Sequence, residues 1–195
     1  MVLLGQATPA NANEQTLLVL GDSISAAYGM SLDEGWVALL ARQIEQTHPG
    51  VDVVNASISG ETTGGALRRL PGLLAQHAPQ VVLIELGGND GLRGFPIKSF
   101  RDNLSALAGQ SNEAGARVVI LPMEIPPNYG TRYTTSFRES YPLVAQQSNA
   151  ILGPFILDGI ATDPSLMQAD GIHPLPEAQE AMMRNVLPAI EEALQ

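Results

Sequence analysis

Leu17-Leu18-Val19-Leu20-Gly21-Asp22-Ser23-Ile24-Ser25 is an apolar run that ends abruptly in a glycine, an acid and a serine. Four apolar residues bounded by a turn signal suit a strand covered on both faces, as in a parallel sheet with helices on each side. A serine on the turn that follows stands beyond the carboxyl end of its strand. Open α/β sheets collect ligands there, and the serine N–H is expected at a helix start. Taken alone, the same residues read equally well as a turn with a helix cap.

The flanking sequence repeats the pattern. Apolar residues at helical spacing from Trp36 to Ile44 stop at His48-Pro49-Gly50, and Val51–Ala56 predicts a second strand. The polar turn 57–63 leads into a helix through Leu67, Leu70, Leu73 and Leu74. Val81–Leu86 is the most apolar segment and predicts a central third strand, followed by the turn Gly87-Gly88-Asn89-Asp90-Gly91. A helix is expected over 97–114, a fourth strand over 117–121, and a long Pro-rich loop over 122–135. A helix over 137–149, a short fifth strand within 151–157, a loop over 167–176 and an amphipathic helix over 177–194 complete the chain. Strands alternating with helices specify an α/β fold: a three-layer sandwich with a mostly parallel five-stranded sheet and helices on both faces.

Composition narrows the class. A chain of 195 residues, 45% of them apolar, is globular and sized for one domain. Twenty acids against ten bases give a net charge of −10, which repels nucleic acid and anionic membranes. The absence of cysteine excludes a thiol nucleophile and cysteine-held zinc. No apolar stretch approaches the roughly 18 residues of a membrane span, so no stable membrane anchor is expected. Val2-Leu3-Leu4-Gly5 and then Ala10-Asn11-Ala12 resemble the tail of a secretory signal. Residues 1–14 therefore read as a signal remnant or disordered extension, 15–195 as a single domain, and the setting as periplasmic or secreted. A monomer is expected.

In a parallel sheet every turn after a strand lies at one edge. Ser23, Gly60 and Asn89 all follow strands and so converge. Of the three histidines, His48 and His77 follow helices and fall at the opposite edge, which leaves His173. It sits in Asp170-Gly171-Ile172-His173-Pro174, where a single turn can aim the Asp170 carboxylate at one ring nitrogen. The other nitrogen is then free to act as a base toward a hydroxyl, which a weakly nucleophilic serine needs. The Ser23 and Gly60 N–H groups and the Asn89 amide are candidate donors to an oxyanion. Glu85, inside an apolar strand, reads as a hydrogen-bonded structural acid, and Asp22 and Asp90 as braces of their turns.

These blocks, Gly21-Asp22-Ser23, Gly60 within Asn55–Thr62, Gly87-Gly88-Asn89-Asp90 and Asp170–Pro174, resemble in order those of the SGNH hydrolases, or GDSL lipases and esterases. More narrowly they are similar to the bacterial thioesterase I, protease I and lysophospholipase L1 group and related arylesterases. The resemblance runs from about Leu17 into the C-terminal helix. It implies a flavodoxin-like fold, Ser23 as nucleophile with Asp170 and His173 as partners, and an oxyanion hole of Ser23, Gly60 and Asn89. It further implies an acyl site near Asp22, Leu92, Phe95, Ile125, Pro127, Tyr129 and Ile172, with residues 91–95 as a loop beside it. Ile24 stands where the motif has leucine. Glu124 stands where related sequences often carry a basic or amide residue, which puts chain-length preference in doubt.

The expected reaction is hydrolysis of a small acyl ester or thioester through an acyl-enzyme, with no metal and no cofactor. Two other readings compete. A nucleotide- or phosphate-binding module would use the same glycine turns, but it lacks Gly-x-Gly-x-x-Gly after the first strand and a P-loop lysine. A metal-assisted hydrolase would draw on Asp22, Asp90, Asp170 and His173, a thin set for zinc. The Gly-x-Ser-x-Gly elbow of the α/β-hydrolases is absent.

Overall fold

A computed structural model describes residues 15–195, so the signal-like stretch lies outside the described residues. The first strand, β1 (Gln15–Gly21), is longer than its apolar run by Gln15 and Thr16 at the start and Gly21 at the end. Leu17 to Leu20 are fully buried. Helix α1 (Trp36–Thr47), strand β2 (Val51–Asn55), helix α2 (Thr63–His77) and strand β3 (Val81–Glu85) follow. All five residues of β3 are buried, as its continuous apolar pattern requires of a central strand.

The five strands are all parallel in the order β2-β1-β3-β4-β5, with β4 at Arg117–Leu121 and β5 at Ile151–Leu152. This is the doubly wound order in which the chain reverses its direction of winding between β1 and β3. The crevice at that reversal opens beyond the carboxyl ends of the two strands that carry Ser23 and Asn89.

Several boundaries differ from the sequence reading. The turn after β3 is itself a short helix, α3 (Gly88–Leu92). The Pro-rich loop is shorter than expected: a 3-10 turn forms at Pro127–Tyr129, and helix α5 (Thr131–Ser148) begins directly after Gly130. Strand β5 stops after two residues, with Gly153 N–H still reaching Ile120 carbonyl at 2.9 Å. Pro154 has no N–H to continue the ladder. Helices α4 (Ile97–Glu113) and α6 (Gln179–Leu194) lie as expected, the latter behind a 3-10 turn at Pro176–Ala178. Residues 22–35 form turns instead of a regular helix, so Ser23 precedes α1 by a full excursion of chain. One helical turn does form there, with Ala26 N–H donating to the Asp22 carbonyl at 2.9 Å. Among the described residues no helix is long and apolar enough to cross a membrane.

Candidate active site

A small antiparallel turn places the histidine. Met167 bridges to Pro174, Gln168 N–H donates to the His173 carbonyl at 2.7 Å, and Leu175 N–H donates to the Leu166 carbonyl at 2.8 Å. Inside this turn the Asp170 carboxylate closes on the backbone that follows it. Its Oδ1 accepts the N–H groups of Ile172 at 2.9 Å and His173 at 3.0 Å. Its Oδ2 faces His173 Nδ1 at 2.6 Å. Desolvation works against the Asp170 charge, but the His173 backbone N–H, the His173 ring and the Ile172 N–H outweigh it and hold the carboxyl down at about 2. An ionised carboxylate only accepts, so the ring proton sits on Nδ1 and Nε2 carries the lone pair. Nε2 lies 2.8 Å from Ser23 Oγ across 150 residues of chain.

Three groups on turns that follow strands are placed where they could donate to a developing oxygen charge. Among the described residues, neither the Ser23 nor the Gly60 N–H donates to another group. Gly60 has φ of +78°, a left-handed conformation that a side chain would strain, and a Cβ there would meet Arg93 Nη2 at 3.7 Å, an ordinary contact. The Asn89 amide gives one hydrogen to Asp22 Oδ2 at 3.1 Å, which leaves the other for a ligand. Asp22 in turn accepts the Ile24 N–H on Oδ1 at 3.1 Å. Asp22 thus fixes the Ser23 turn and the Asn89 amide together.

Beneath Asp22 lies Glu85, fully buried on β3. Its Oε2 accepts the Ser25 hydroxyl at 2.6 Å, and among the described residues its Oε1 has no hydrogen-bond partner. Burial pushes the Asp22 carboxyl up to about 6, against the Ile24 N–H, the nearby His173 ring and the Asn89 amide. Burial, and then the Asp22 charge, push Glu85 well above the usual carboxylate range. The folded pair therefore keeps a proton at pH values where unfolded carboxylates have lost theirs. Its contribution to stability is fullest below about pH 4, the range of unfolded carboxylates, and declines as pH rises through about 6. Glu85→Gln, uncharged and of the same shape, is expected to lessen that decline. Its Tm relative to the parent should rise between pH 5 and pH 8, and parallel curves would refute this account.

Asp90 braces the second turn to the third. It accepts the Thr63 N–H at 2.9 Å and the Thr63 hydroxyl at 2.5 Å, and burial raises its pKa. With Asp90 turned to α2 and Asp170 occupied by the histidine turn, the four candidate metal ligands do not converge.

The cleft above Ser23 has a volume of about 520 Å³. Of the residues expected at an acyl site, Asp22, Leu92, Ile125, Pro127 and Ile172 line it, but Phe95 and Tyr129 do not. These two support the wall from behind: the Tyr129 hydroxyl donates to the Leu92 carbonyl at 2.7 Å, and the Phe95 carbonyl accepts the Tyr133 hydroxyl at 2.7 Å. Glu124 also lines the cleft and pairs with Arg138 at 3.3 Å, so its charge is met within the rim. The sequence reading missed Tyr28, Met123, Phe155, Leu157 and Met167. Only Tyr28 carried a signal, as an aromatic residue five places after Ser23 on a polar turn. The others come from loops whose course no periodicity announces.

The sequence profile of the GDSL-like Lipase/Acylhydrolase family matches residues 19–181. The chain is 47% identical over 194 residues to esterase TesA of Pseudomonas aeruginosa, covering 100% of this chain and 94% of that protein. It is 47% identical over 179 residues to an arylesterase of Vibrio mimicus, covering 92% of this chain and 90% of the relative. Among solved structures it is similar to the psychrotrophic esterase EstA from Pseudoalteromonas sp., inhibited by monoethylphosphonate. There the TM-score is 0.88 at 46% identity, covering 92% of this chain and 98% of the other.

Proposed function

Because the chain belongs to the GDSL-like lipase/acylhydrolase family, we propose that it cleaves carboxylic esters, and thioesters by the same steps, with Ser23 as nucleophile. The observation that carries this reading is the contact of 2.8 Å between Ser23 Oγ and His173 Nε2, with Asp170 behind the ring.

Ser23 Oγ attacks the acyl carbon as its proton passes to His173 Nε2. The charge that develops on the carbonyl oxygen is met by the Ser23 and Gly60 N–H groups and the Asn89 amide, donors already fixed before the reaction. The bond from acyl carbon to leaving oxygen or sulfur breaks, and Nε2 returns the proton to that atom. Water then attacks the acyl-serine, again giving its proton to Nε2, and the acid departs as Ser23 is restored. Asp170 stabilises the imidazolium formed in each half-reaction. Apart from the attacking water, each step uses groups that the chain itself carries.

The apolar wall of Leu92, Met123, Ile125 and Pro127 supports an acyl site, and a cleft of about 520 Å³ supports a small-molecule substrate. The proposal includes a monomeric enzyme in a periplasmic or secreted setting, the latter supported by the signal-like residues 2–12. Light scattering tests the first and cell fractionation the second.

A fluorophosphonate probe tests the central assignment. The active protein should lose ester hydrolysis in step with labelling, the label should map to Ser23, and EDTA should leave turnover unchanged. Labelling that inactivates at another residue, or activity abolished by EDTA, would overturn the reading.

A further inference from the structure

The turn after the nucleophile contains a tyrosine held in place from two directions. The Tyr28 N–H donates to the Ser23 carbonyl at 3.1 Å, winding the chain back over the reactive serine. On either side Ala27 and Gly29 have φ of +55° and +81°, left-handed conformations that reverse the chain and that alanine seldom adopts. From the histidine turn, the Gln168 amide donates to the Tyr28 carbonyl at 2.9 Å and to the Pro174 carbonyl at 3.1 Å. The Gln168 backbone N–H holds the His173 carbonyl. A side chain at Gly29 would meet Gln168 Oε1 at 2.7 Å, so glycine is what allows this approach.

The result is a tilted stack: the Tyr28 and His173 rings lie 4.3 Å apart between centroids, at 34°. An exposed tyrosine is ordinarily unremarkable. Here Tyr28 is 49% exposed, its hydroxyl has no hydrogen-bond partner among the described residues, and it forms part of the cleft wall. During acylation, His173 Nε2 delivers its proton to the leaving atom, so the leaving group must lie on the histidine side of the scissile bond. The ring that faces that side is Tyr28.

We propose that Tyr28 is a specificity-determining residue, its ring the surface on which a flat, aromatic leaving group rests as His173 protonates it. This rests on the roles given above to Ser23 and His173. Offset or tilted aromatic packing favours a planar π-system over a puckered ring of similar size.

The test compares benzyl butyrate with cyclohexylmethyl butyrate, two esters of the same acid whose alcohols are similar in size and basicity. Values of kcat/KM report the steps through acylation. The unaltered enzyme should prefer the benzyl ester. Tyr28→Leu should lower that preference by roughly three- to tenfold, the range that aromatic pair energies imply. Tyr28→Phe should retain it, since the ring and not the hydroxyl is used. An unchanged preference in Tyr28→Leu would overturn the inference, as would an equal loss of both rates, which would leave the ring only the task of holding His173. Melting curves guard against misfolding, and a half-exposed side chain gives little reason for it. Failure of the underlying reading looks different: the unaltered enzyme would hydrolyse neither ester and take no label at Ser23.

Discussion

Ser23→Ala should lower kcat by about 10⁶-fold, equivalent to about 8 kcal/mol of lost transition-state stabilisation, while leaving the fold intact. Among the described residues the hydroxyl's one hydrogen bond is with His173, and the backbone carbonyl that receives the Tyr28 N–H is untouched by the change. Stability should therefore move by no more than about 0.5 kcal/mol, as for a surface substitution without special features. The oxyanion donors survive, so activity falls to the level that binding and electrostatics alone provide and not to zero. Nucleophile and base act as a unit. The double variant Ser23→Ala, His173→Ala should accordingly be no slower than Ser23→Ala alone. A loss below about 10³-fold would mean that another group attacks the acyl carbon, and a much slower double variant would mean that His173 acts apart from Ser23. Steady-state hydrolysis of an aryl ester, followed over hours with active-site-free controls, gives the necessary range.

The parts of the site that could be read from the sequence are those fixed by topology. A buried parallel strand such as β1 or β3 announces itself by apolar continuity, and a parallel sheet sends each following turn to one edge. Ser23, Gly60 and Asn89 could be grouped from order alone. Asp170 and His173 were legible because three residues of spacing close a single turn. The cleft walls were not. Phe95 and Tyr129 have the right character and neighbourhood, yet their backbone carbonyl and hydroxyl are engaged in bracing residues 91–95 from outside, a matter of rotamer and loop path. Met167 and Phe155 reach the cleft from irregular segments whose direction depends on tertiary packing. The abrupt end of β5 was written at Pro154, but its apolar neighbours Phe155, Ile156 and Leu157 concealed it. Leu157 is almost fully buried without being in a strand, so hydrophobicity there records burial and not secondary structure.

Asp170→Asn should cost about 10⁴ in kcat, although the substitution removes no heavy-atom volume. The reason lies in how the carboxylate is already occupied. Oδ1 receives two backbone N–H groups, from Ile172 and His173, and so can be replaced only by the oxygen of an asparagine amide. The amide nitrogen must then stand where Oδ2 was, 2.6 Å from His173 Nδ1. Two donors cannot face one another, so the ring proton moves to Nε2. That nitrogen now donates toward Ser23 Oγ and can no longer accept its proton. Flipping the amide only transfers the conflict to the two backbone N–H groups and opens the turn that carries the histidine. The loss should appear in both esterase activity and the rate of fluorophosphonate labelling, since both need a deprotonated serine. A variant within 10²-fold of the unaltered enzyme would refute the tautomer argument. Stability gives an independent reading. Because the folded Asp170 carboxyl is held down at about 2, its contribution is present above the ordinary carboxylate range and is lost as pH falls from about 4 toward that value. The Tm advantage of the unaltered protein over Asp170→Asn should shrink across that window. At neutral pH Asp170 is ionised throughout, so the comparison with Asp170→Asn there is between a charged acceptor and an uncharged amide.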